Sequence, residues 1–547
     1  MDTQRLILFF VFSFSLLLLW EAWQKESRPS PAPVQSASPA GVPGTFAPPS
    51  AGTQAPAVVR VPGEEAKAQK TGERITVRTD TMVAWVSTQG GDIEFLELLQ
   101  HKDTLDKSKD FVLFEPEHHR YAAQSGLTGG LPYHRTLFST SAKDFALAPG
   151  QDRMEVRMEA QGANGVKVAK ILTFHRGSYV IDITEEVTNG SGSPLSTSAY
   201  FQFTRDDKAP AGDPNMVKTF TGPAIYTEQD KFQKIAFSDI EKGKFASKDS
   251  DNGWIAMVQH YFVAAFLPPN KTAREFYAQK LGNDFYSAGV KIPVGPIAAG
   301  ATASVSVPLY AGPQDQDRLK AIAPGLELVV DYGWLTVISV PLFWVLKLFH
   351  GWLGNWGLAI ILLTIVIKLV FFPLSAASYR SMAKMKLVTP RLTKIREQYA
   401  DDRMKMNQAM MDLYKTEKIN PLGGCLPIVV QIPVFIALYW VLLESVELRQ
   451  APFYLWIRDL SAEDPFYVLP ALMMASMLIQ TKMNPTPPDP VQAKVMMIMP
   501  FVFGIMFFFF PSGLVLYWMV NNILSILQQW QITRMTAGAR PPAAAKR

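Results

Sequence analysis

The sequence predicts a multi-domain membrane protein with an α-helical polytopic core, six spans in total, and a large all-β domain. Composition is the first indication, because 48% of the 547 residues are hydrophobic and only 18% are charged, which is low for a soluble protein. The second is the presence of long apolar runs at the amino end and in the carboxyl-terminal third. The third is period-two alternation of polar and apolar residues over about 250 residues between these regions.

Charge and cysteine content exclude other classes of protein. The net charge of +5 is too small to suggest a nucleic-acid-binding protein, so no specific nucleic acid sequence is expected as a partner. The chain has one cysteine, Cys425, so an intrachain disulfide is excluded and redox chemistry is not expected.

The amino end, residues 1–25, is predicted to be a transmembrane anchor. Arg5 precedes the apolar run Leu6–Trp20, and Trp23 and Lys25 follow it. A signal peptide is the alternative, but no small-residue cleavage site follows the run, and the tryptophans suit the headgroup layer. Residues 26–60 are rich in Pro, Ala, Ser and Gly and cannot bury a core, which predicts a disordered linker.

Residues 61–330 are predicted to form the all-β domain. The clearest predicted strands are Ile75–Arg78, Met154–Met158, Tyr179–Ile183, Trp254–Phe266 and Val305–Leu309. Turn residues separate such runs, for example at Asn164-Gly165 and Asn189-Gly190. An anchor with its amino terminus inside places this domain outside the cytoplasm.

The histidines of this domain do not predict a catalytic or metal site. None has the spacing of a known ligand motif, so we expect surface or packing roles, no metal and no cofactor. The residues concerned are His101, His118, His119, His134, His175 and His260.

The core begins with residues 331–350, which are predicted to be an interfacial amphipathic helix because Pro341 interrupts them and Lys347 lies among the aromatic residues. The five-span core covers 351–534, and its first predicted span is Leu358–Leu374. This span carries Lys368, with Thr364 one turn earlier on the same face. Such a cation either snorkels to an interface or faces a wet, protein-lined cavity, and both alternatives remain open.

Residues 375–420 are predicted to form a cytoplasmic helical hairpin. They carry ten basic and five acidic residues, which marks the cytoplasmic side. Apolar residues recur at helical spacing on either side of Asp401-Asp402, a pair that can end one helix and cap the next. The hairpin is either a solvated charged surface near anionic lipid or a dock for incoming partners.

Four further spans complete the predicted core, and residues 535–547 form a basic tail that places both termini in the cytoplasm. The predicted spans are Leu426–Leu443, Phe466–Ile479, Val495–Phe510 and Leu514–Leu527. The later spans are shorter than the ~30 Å hydrocarbon layer at ~1.5 Å per residue, so the bilayer should thin around them.

Polar residues recur at depth within the spans. They are Thr364, Lys368, Gln431, Tyr517, Asn521 and Asn522. A bundle that buries these side chains together would contain a hydrated groove, although Thr, Asn and Gln also hold helices together.

Five motifs carry a resemblance to a known family. They are Asp331–Trp334, Gly354–Gly357, Asn420–Cys425, Val446–Phe453 and Phe510–Tyr517. With them the chain resembles, essentially end to end, the YidC membrane protein insertases of Gram-negative bacteria, within the YidC/Oxa/Alb family. The resemblance implies a multi-pass protein of the bacterial inner membrane. It also implies a periplasmic β-supersandwich, similar to sugar mutarotase folds but without known catalysis.

The same resemblance implies a substrate groove open to the cytoplasm and to lipid. The family usually has an arginine in the second span, and the matching residue here is Lys368, which keeps the charge but loses the bidentate fork. Thr364 and Tyr517 match groove or substrate-contacting positions, and Gln431 and Asn521 are expected to line the groove. The implied partners are nascent membrane proteins, the Sec translocon, the ribosome and membrane lipids.

The function expected on these grounds is insertion and chaperoning of membrane proteins, alone or with the Sec translocon. No Walker motif is present, so we expect no nucleotide hydrolysis and no enzyme activity. The alternatives are a transporter or channel with Lys368 as counter-ion, for which no internal repeat is found, and a purely structural scaffold. A rhomboid-like protease is disfavoured because no histidine follows His350.

Overall fold

The computed structural model describes residues 72–117, 120–212, 219–282, 284–417, 426–484 and 490–538. These residues divide into two compact units between Val330 and Asp331, and each unit is described by itself. The predicted anchor at 1–25 and linker at 26–60 lie outside the described residues, as does most of the predicted tail.

The first unit is built from strands. They are β1 (Arg74–Arg78), β2 (Met82–Ser87), β3 (Ile93–Lys102), β4 (Asp110–Phe114), β5 (Ala122–Leu127), β6 (Ser139–Thr140), β7 (Asp144–Ala146), β8 (Arg153–Gln161), β9 (Lys167–His175), β10 (Val180–Thr188), β11 (Leu195–Asp206), β12 (Gly222–Thr227), β13 (Lys231–Lys234), β14 (Lys248–Ser250), β15 (Trp254–Gln259), β16 (Phe262–Phe266), β17 (Arg274–Gly282), β18 (Phe285–Ile297) and β19 (Thr302–Pro313). Two short helices, α1 (Phe237–Glu241) and α2 (Gln316–Ile322), complete it.

These strands form two sheets that pack face to face. One sheet has the order β14-β17-β18-β11-β5-β3-β2-β1-β7, with β4 paired to β3, and the other has the order β13-β12-β15-β16-β19-β10-β9-β8-β6. Aromatic stacking joins them, with ring centroids 4.5 Å apart for Phe203 and Phe266 and 3.8 Å apart for Phe111 and Phe262. The predicted all-β sandwich is therefore confirmed.

One predicted strand, Trp254–Phe266, was wrong in extent. It is two antiparallel strands, β15 and β16, with a reversal at Tyr261, whose φ is 66°. Every residue of both strands is buried, so no polar alternation marked the turn in the sequence.

A buried polar cluster lies between the sheets. Lys170 Nζ lies 3.3 Å from Glu185 Oε1, and both side chains are fully buried. The same ammonium donates to the carbonyl of Ser125, whose hydroxyl donates to Glu185 at 2.8 Å. Nearby, Gln124 donates to Asp92 at 2.8 Å, and burial raises the pKa of that carboxyl well above its usual range.

The second unit is helical. Its helices are α3 (Thr336–Leu353), α4 (Trp356–Val370), α5 (Phe372–Gln398), α6 (Arg403–Thr416), α7 (Leu426–Glu444), α8 (Val468–Met483), α9 (Pro490–Met506) and α10 (Ser512–Gly538). The helical core expected from the sequence is confirmed in this coarse form.

The predicted continuous span Leu358–Leu374 was wrong at its carboxyl end. The helix breaks at Phe371, and α4 and α5 meet at a bend of 67°. Pro373 explains the break, because its ring clashes with the carbonyl four residues earlier and it has no N–H to donate. Lys368 therefore lies in the last turn of α4.

Helices α5 and α6 coincide with the predicted hairpin. Val388 and Leu392 of α5 are buried against residues of α6 that include Met410 and Leu413. Asp402 Oδ1 accepts a hydrogen bond from the amide of Lys405 at 3.0 Å, which confirms the capping role predicted for that position.

The predicted count of six spans is not confirmed. Among the described residues, only the helix Gly333–Leu353 is by itself long and apolar enough to cross a membrane, and the bent pair of α4 and α5 passes when taken together. Three further apolar helices are shorter: Val430–Glu444, Val468–Met483 and Ala493–Phe509. The interfacial role of residues 331–350 stays a prediction, because the helix there is also long enough to span.

Candidate functional site

A cavity of about 370 Å³ lies inside the helical unit. Five helices, α4, α5, α7, α8 and α10, contribute side chains to its wall. The lining residues are Lys368, Ser375, Ser378, Tyr379, Met382, Gln431, Ile432, Phe435, Met473, Met477, Gln480, Asn484, Tyr517, Trp518, Asn521, Asn522 and Ser525. The wall therefore combines one cation, several polar groups and an apolar surface.

Lys368 supplies the cation of this cavity and is 4% exposed. Its ammonium donates to the hydroxyl of Ser525 at 2.7 Å, and that hydroxyl donates to the carbonyl of Asn521, also at 2.7 Å. Within the residues that the structure describes, no carboxylate lies within ion-pair distance of Lys368. The positive charge is thus oriented by a neutral chain of hydrogen bonds, with no anion of the described residues paired to it.

The start of α4 is fixed by its capping residue. Asn355 Oδ1 accepts from the amide of Leu358 at 3.1 Å, and Asn355 Nδ2 donates to the carbonyls of Pro452 and Phe453, each at 3.2 Å. Gly357 follows, and a Cβ there would lie 2.1 Å from the ring of Phe453. These contacts hold the helix that presents Lys368 about three turns further on.

Two hydrogen bonds join α8 and the residue that follows it, Asn484, to α10. Asn522 Nδ2 donates to Ser476 Oγ at 2.8 Å, and Gln529 Nε2 donates to Asn484 Oδ1 at 3.0 Å. The amide of Asn522 therefore holds two helices together and also lines the cavity, so both uses of polar residues considered above occur here.

An aromatic cluster forms another part of the wall. Tyr517 stacks on Phe435 with centroids 6.1 Å apart, and Trp518 meets Phe435 edge-on at 4.5 Å. Met473 and Met477 extend this surface. Methionine and aromatic side chains together suit apolar segments of varied shape.

Two buried donors of the wall have no protein acceptor in the described ranges. They are Gln431 Nε2 and Trp518 Nε1. Buried donors are normally satisfied by a partner or by water, so this part of the wall is suited to hydration or to an acceptor on a bound segment.

The structure brings together four of the five groove residues predicted from the sequence, Lys368, Gln431, Tyr517 and Asn521. Thr364 does not line this cavity, since it is buried and its hydroxyl donates to the carbonyl of Ile360 at 2.7 Å.

Sequence reasoning missed other lining residues, among them Ser375, Ser378, Gln480 and Ser525. Ser525 could have been found, because it lies four residues after Asn521 and therefore on the same helix face. The serines of α5 gave no such signal, since the bend that turns them toward the cavity was not predicted.

Comparisons with known proteins cover nearly the whole chain. The family described as "YidC periplasmic domain" matches residues 74–345, and the one described as "60Kd inner membrane protein" matches residues 348–539. The chain is 58% identical over 539 residues to a protein of Dechloromonas aromatica named "Membrane protein insertase YidC", covering 98% of each chain. It is 59% identical over 552 residues to a protein of the same name from Aromatoleum aromaticum, covering 99% of this chain and 100% of the relative.

This chain is also similar to a crystal structure described as an active YidC insertase with its first transmembrane domain resolved. The alignment covers 86% of this chain and 94% of the chain in that structure. The identity is 18% and the TM-score 0.37. The assignment rests on the sequence relatives and on the two family models, which together match nearly the whole chain. The chain belongs to the YidC family of membrane protein insertases.

Proposed function

We propose that this protein inserts integral inner-membrane proteins and helps them to fold, through the cavity around Lys368. The observation that carries the proposal is a buried cation with no carboxylate of the described residues within ion-pair distance, in a cavity lined by both polar and apolar side chains. The names of the relatives support the class of function, and they do not favour the transporter alternative.

The first step is attraction of an acidic flank of the client to Lys368. Two unit charges 4 Å apart interact by about 4 kcal/mol at an effective dielectric constant near 20. Because no described carboxylate competes for the ammonium, a client carboxylate can form this interaction without first breaking an ion pair.

The second step is replacement of water around the polar flank. Unpaired amide and indole donors on the wall, from Gln431 and Trp518, can bind carbonyls of the client segment. Each such bond lowers the cost of carrying a polar flank partway across the bilayer, where an unpaired peptide group costs several kcal/mol, about 2–7 depending on the reference state.

The third step is release of the apolar segment into lipid. Residues such as Phe435, Met473 and Met477 give the client a transient apolar surface before it leaves. Burial in lipid then contributes about 25 cal/mol per Å² of apolar surface, so nucleotide hydrolysis is not required.

The groove is proposed to open to the cytoplasm and to lipid, with six spans, both termini in the cytoplasm and the β unit in the periplasm. These features follow from the resemblance and from charge asymmetry. Nascent membrane proteins are the proposed clients, ribosomes supply them, and the Sec translocon is a proposed partner for some of them. Membrane lipids receive the inserted segments.

The decisive experiment uses purified protein in liposomes with two versions of a short two-span client. One version carries acidic residues in its translocated flank, and the other carries the matching amides. Lys368→Ala should reduce insertion of the acidic client at least several-fold and affect the neutral client less, while Lys368→Arg should retain insertion. Lys347→Ala, which removes a cation of α3 that does not line the cavity, is the matched control.

Crosslinking provides an independent measurement. In a Cys425→Ser background, Tyr517→Cys should crosslink to a ribosome-held client, whereas Leu527→Cys should not, because Leu527 lies on the same helix but outside the cavity wall. If Lys368→Ala inserts both clients as well as the unaltered protein, and both cysteines crosslink equally, the proposed mechanism is wrong.

A further inference from the structure

The loop 445–467, which connects α7 to α8, presents large apolar side chains outward. Leu455 is 83% exposed, Phe466 is 68% exposed and Tyr454 is 55% exposed. Three such side chains on a loop of this length form an apolar surface that water disfavours and that marks an interaction site.

Two carboxylates, of buried Asp464 and partly buried Asp459, hold this loop in one shape. Asp464 accepts hydrogen bonds from the indole N–H of Trp456 at 2.9 Å and from the amide of Leu469, in α8, at 2.7 Å. Asp459 accepts from the amide of Gln450 at 2.9 Å. The exposed apolar side chains are therefore presented by a fixed scaffold.

The loop covers the ends of several apolar helices. The amide of Gly513 donates to the carbonyl of Leu460 at 2.8 Å, and the amide of Ser512 donates to that of Ala462 at 2.7 Å, which ties the loop to the start of α10. Asn355, the cap of α4, donates to Pro452 as described above. Because apolar helices end here, the loop lies where a hydrocarbon layer around those helices would also end.

The backbone at Leu455 supports an outward role for its side chain. Its φ is 58°, in the left-handed region that disfavours residues with a Cβ, and the bond from the amide of Phe453 to the carbonyl of Ile457, 2.9 Å, closes the turn. The side chain of Leu455 points away from the protein, where it stays hydrated in water but would be buried in lipid.

The apolar surface of the loop continues onto the helices beside it. Phe466 is followed on α8 by exposed Leu472 and Ile479, and Ile505 and Phe509 are exposed at the carboxyl end of the neighbouring apolar segment. Exposed Arg458 adds a cation that suits a phosphate headgroup. Continuity with helix surfaces that contact hydrocarbon in a membrane favours lipid over a protein partner.

We infer that the loop 445–467 inserts Tyr454, Leu455 and Phe466 into the interfacial layer of the bilayer. This anchors one end of the helical unit at a fixed depth. Lys368 lies 13 residues along α4 from Asn355, about 20 Å at the helical rise, so the anchor also sets how deep the cation lies. The inference requires that the helical unit lies in a membrane, but it holds whether or not Lys368 acts on clients.

The test places an environment-sensitive fluorophore on single cysteines in the full chain, in a Cys425→Ser background reconstituted in vesicles. Leu455→Cys and Phe466→Cys carry the probe at the apolar tips, and Glu463→Cys carries it at an exposed acidic position of the same loop. Nitroxide lipids present in both leaflets, labelled either near the headgroup or deep in the chain, make the result independent of protein orientation.

Probes at 455 and 466 should emit in the blue and be quenched at least two-fold more by the shallow nitroxide than by the deep one. The probe at 463 should emit as in water and be quenched by iodide. Water-like emission with equal iodide quenching at all three positions would overturn the inference. If the same samples still insert the client, the proposed function stands even though the inference is wrong.

Leu455→Gly separates anchoring from a structural role of the turn. Glycine adopts the left-handed conformation freely, so the fold should be at least as stable as before. With the side chain gone, shallow quenching of a probe at residue 466 should fall at least two-fold. If the quenching stays unchanged while thermal stability falls, Leu455 serves only the turn and the inference is wrong.

Discussion

The ammonium of Lys368 donates a hydrogen bond to the hydroxyl of Ser525, 2.7 Å away, although the two residues are 157 positions apart. Lysine presents a compact charge that a single hydroxyl can orient. Ser525 therefore acts as the positioning residue for the cation of the cavity.

Ser525→Ala should lower the stability of the detergent-solubilised protein by about 1.5–3 kcal/mol, because it removes a hydrogen bond to a buried charge. The measurement is the thermal unfolding midpoint. Ser525→Thr keeps the hydroxyl and should restore most of the loss. In a Lys368→Met background the serine substitution should cost much less, and strictly additive losses would contradict a direct Lys368–Ser525 interaction.

Gly357→Ala should destabilise the helical unit by about 1–3 kcal/mol, because the new methyl group overlaps the ring of Phe453 and displaces the loop that Asn355 binds. The matched control is Gly351→Ala in α3, where a Cβ meets nothing within 4 Å. That change should be neutral or stabilising by up to about 1 kcal/mol, since alanine favours helix. Equal midpoints for the two variants would disprove the proposed close approach.

Asp92→Asn should stabilise the protein more at pH 8 than at pH 5. Burial raises the pKa of Asp92 well above its usual range, although the nearby ammonium of Lys170 opposes the rise. The protonated form is thus favoured in the fold, so the contribution of Asp92 is greatest at acid pH. It is lost as the pH rises from about 4, the unfolded value, toward the folded pKa.

Asparagine at position 92 has no proton to lose and can still accept from Gln124. The measurement is thermal unfolding of the full chain followed by the strand signal in circular dichroism at both pH values. A gain that is the same at pH 5 and pH 8 would show that ionisation of Asp92 is not its cause.

The hairpin of α5 and α6 can be tested as a dock for clients. Leu387 is 69% exposed and Met404 is 84% exposed, so replacing both by serine should leave stability unchanged while removing apolar contacts. Crosslinking of a ribosome-held client to a photoreactive group at Gln408 should fall several-fold.

The alternative role of the hairpin, contact with anionic lipid, depends on charge. Lys384→Gln with Lys386→Gln, at two exposed positions of α5, should weaken binding to anionic vesicles and leave client crosslinking intact. If the lysine variant loses client crosslinking and the Leu387→Ser, Met404→Ser variant keeps it, the hairpin is not an apolar dock.

Much of the architecture could be predicted because it is local in sequence. Alternation along Tyr179–Ile183 fixed which face of β10 is buried, and Asp402 marked the start of α6. The break at Phe371 was also a local matter, since Pro373 lies two residues later, but apolar composition outweighed it in the prediction. Trp254–Phe266 failed for a different reason, since burial on both faces erases the pattern that would show a turn.

The candidate site was also predicted only in part from the sequence. Lys368 could be predicted as a site residue because it is a cation within an apolar run. Gln431, Tyr517 and Asn521 could be predicted because they are polar residues within predicted spans. Sequence spacing could not show which of these residues line the same cavity. Thr364 lies one turn from Lys368, yet its hydroxyl donates to a carbonyl of its own helix. The bend angle of 67° brings the serines of α5 to the cavity, and no residue pattern encodes such an angle directly.

By itself, the sequence determined the two kinds of domain, the family and the lysine at position 368, while the sidedness of its loops stays a prediction. These follow from periodicity, composition and motif, which act over a few residues. Only the tertiary structure decided that Lys368 is held by Ser525, that Asn522 ties α8 to α10, and that Leu455 points away from the protein. Hydrogen bonds of that kind depend on helix crossings and loop closure, which are set by packing between residues far apart in the chain.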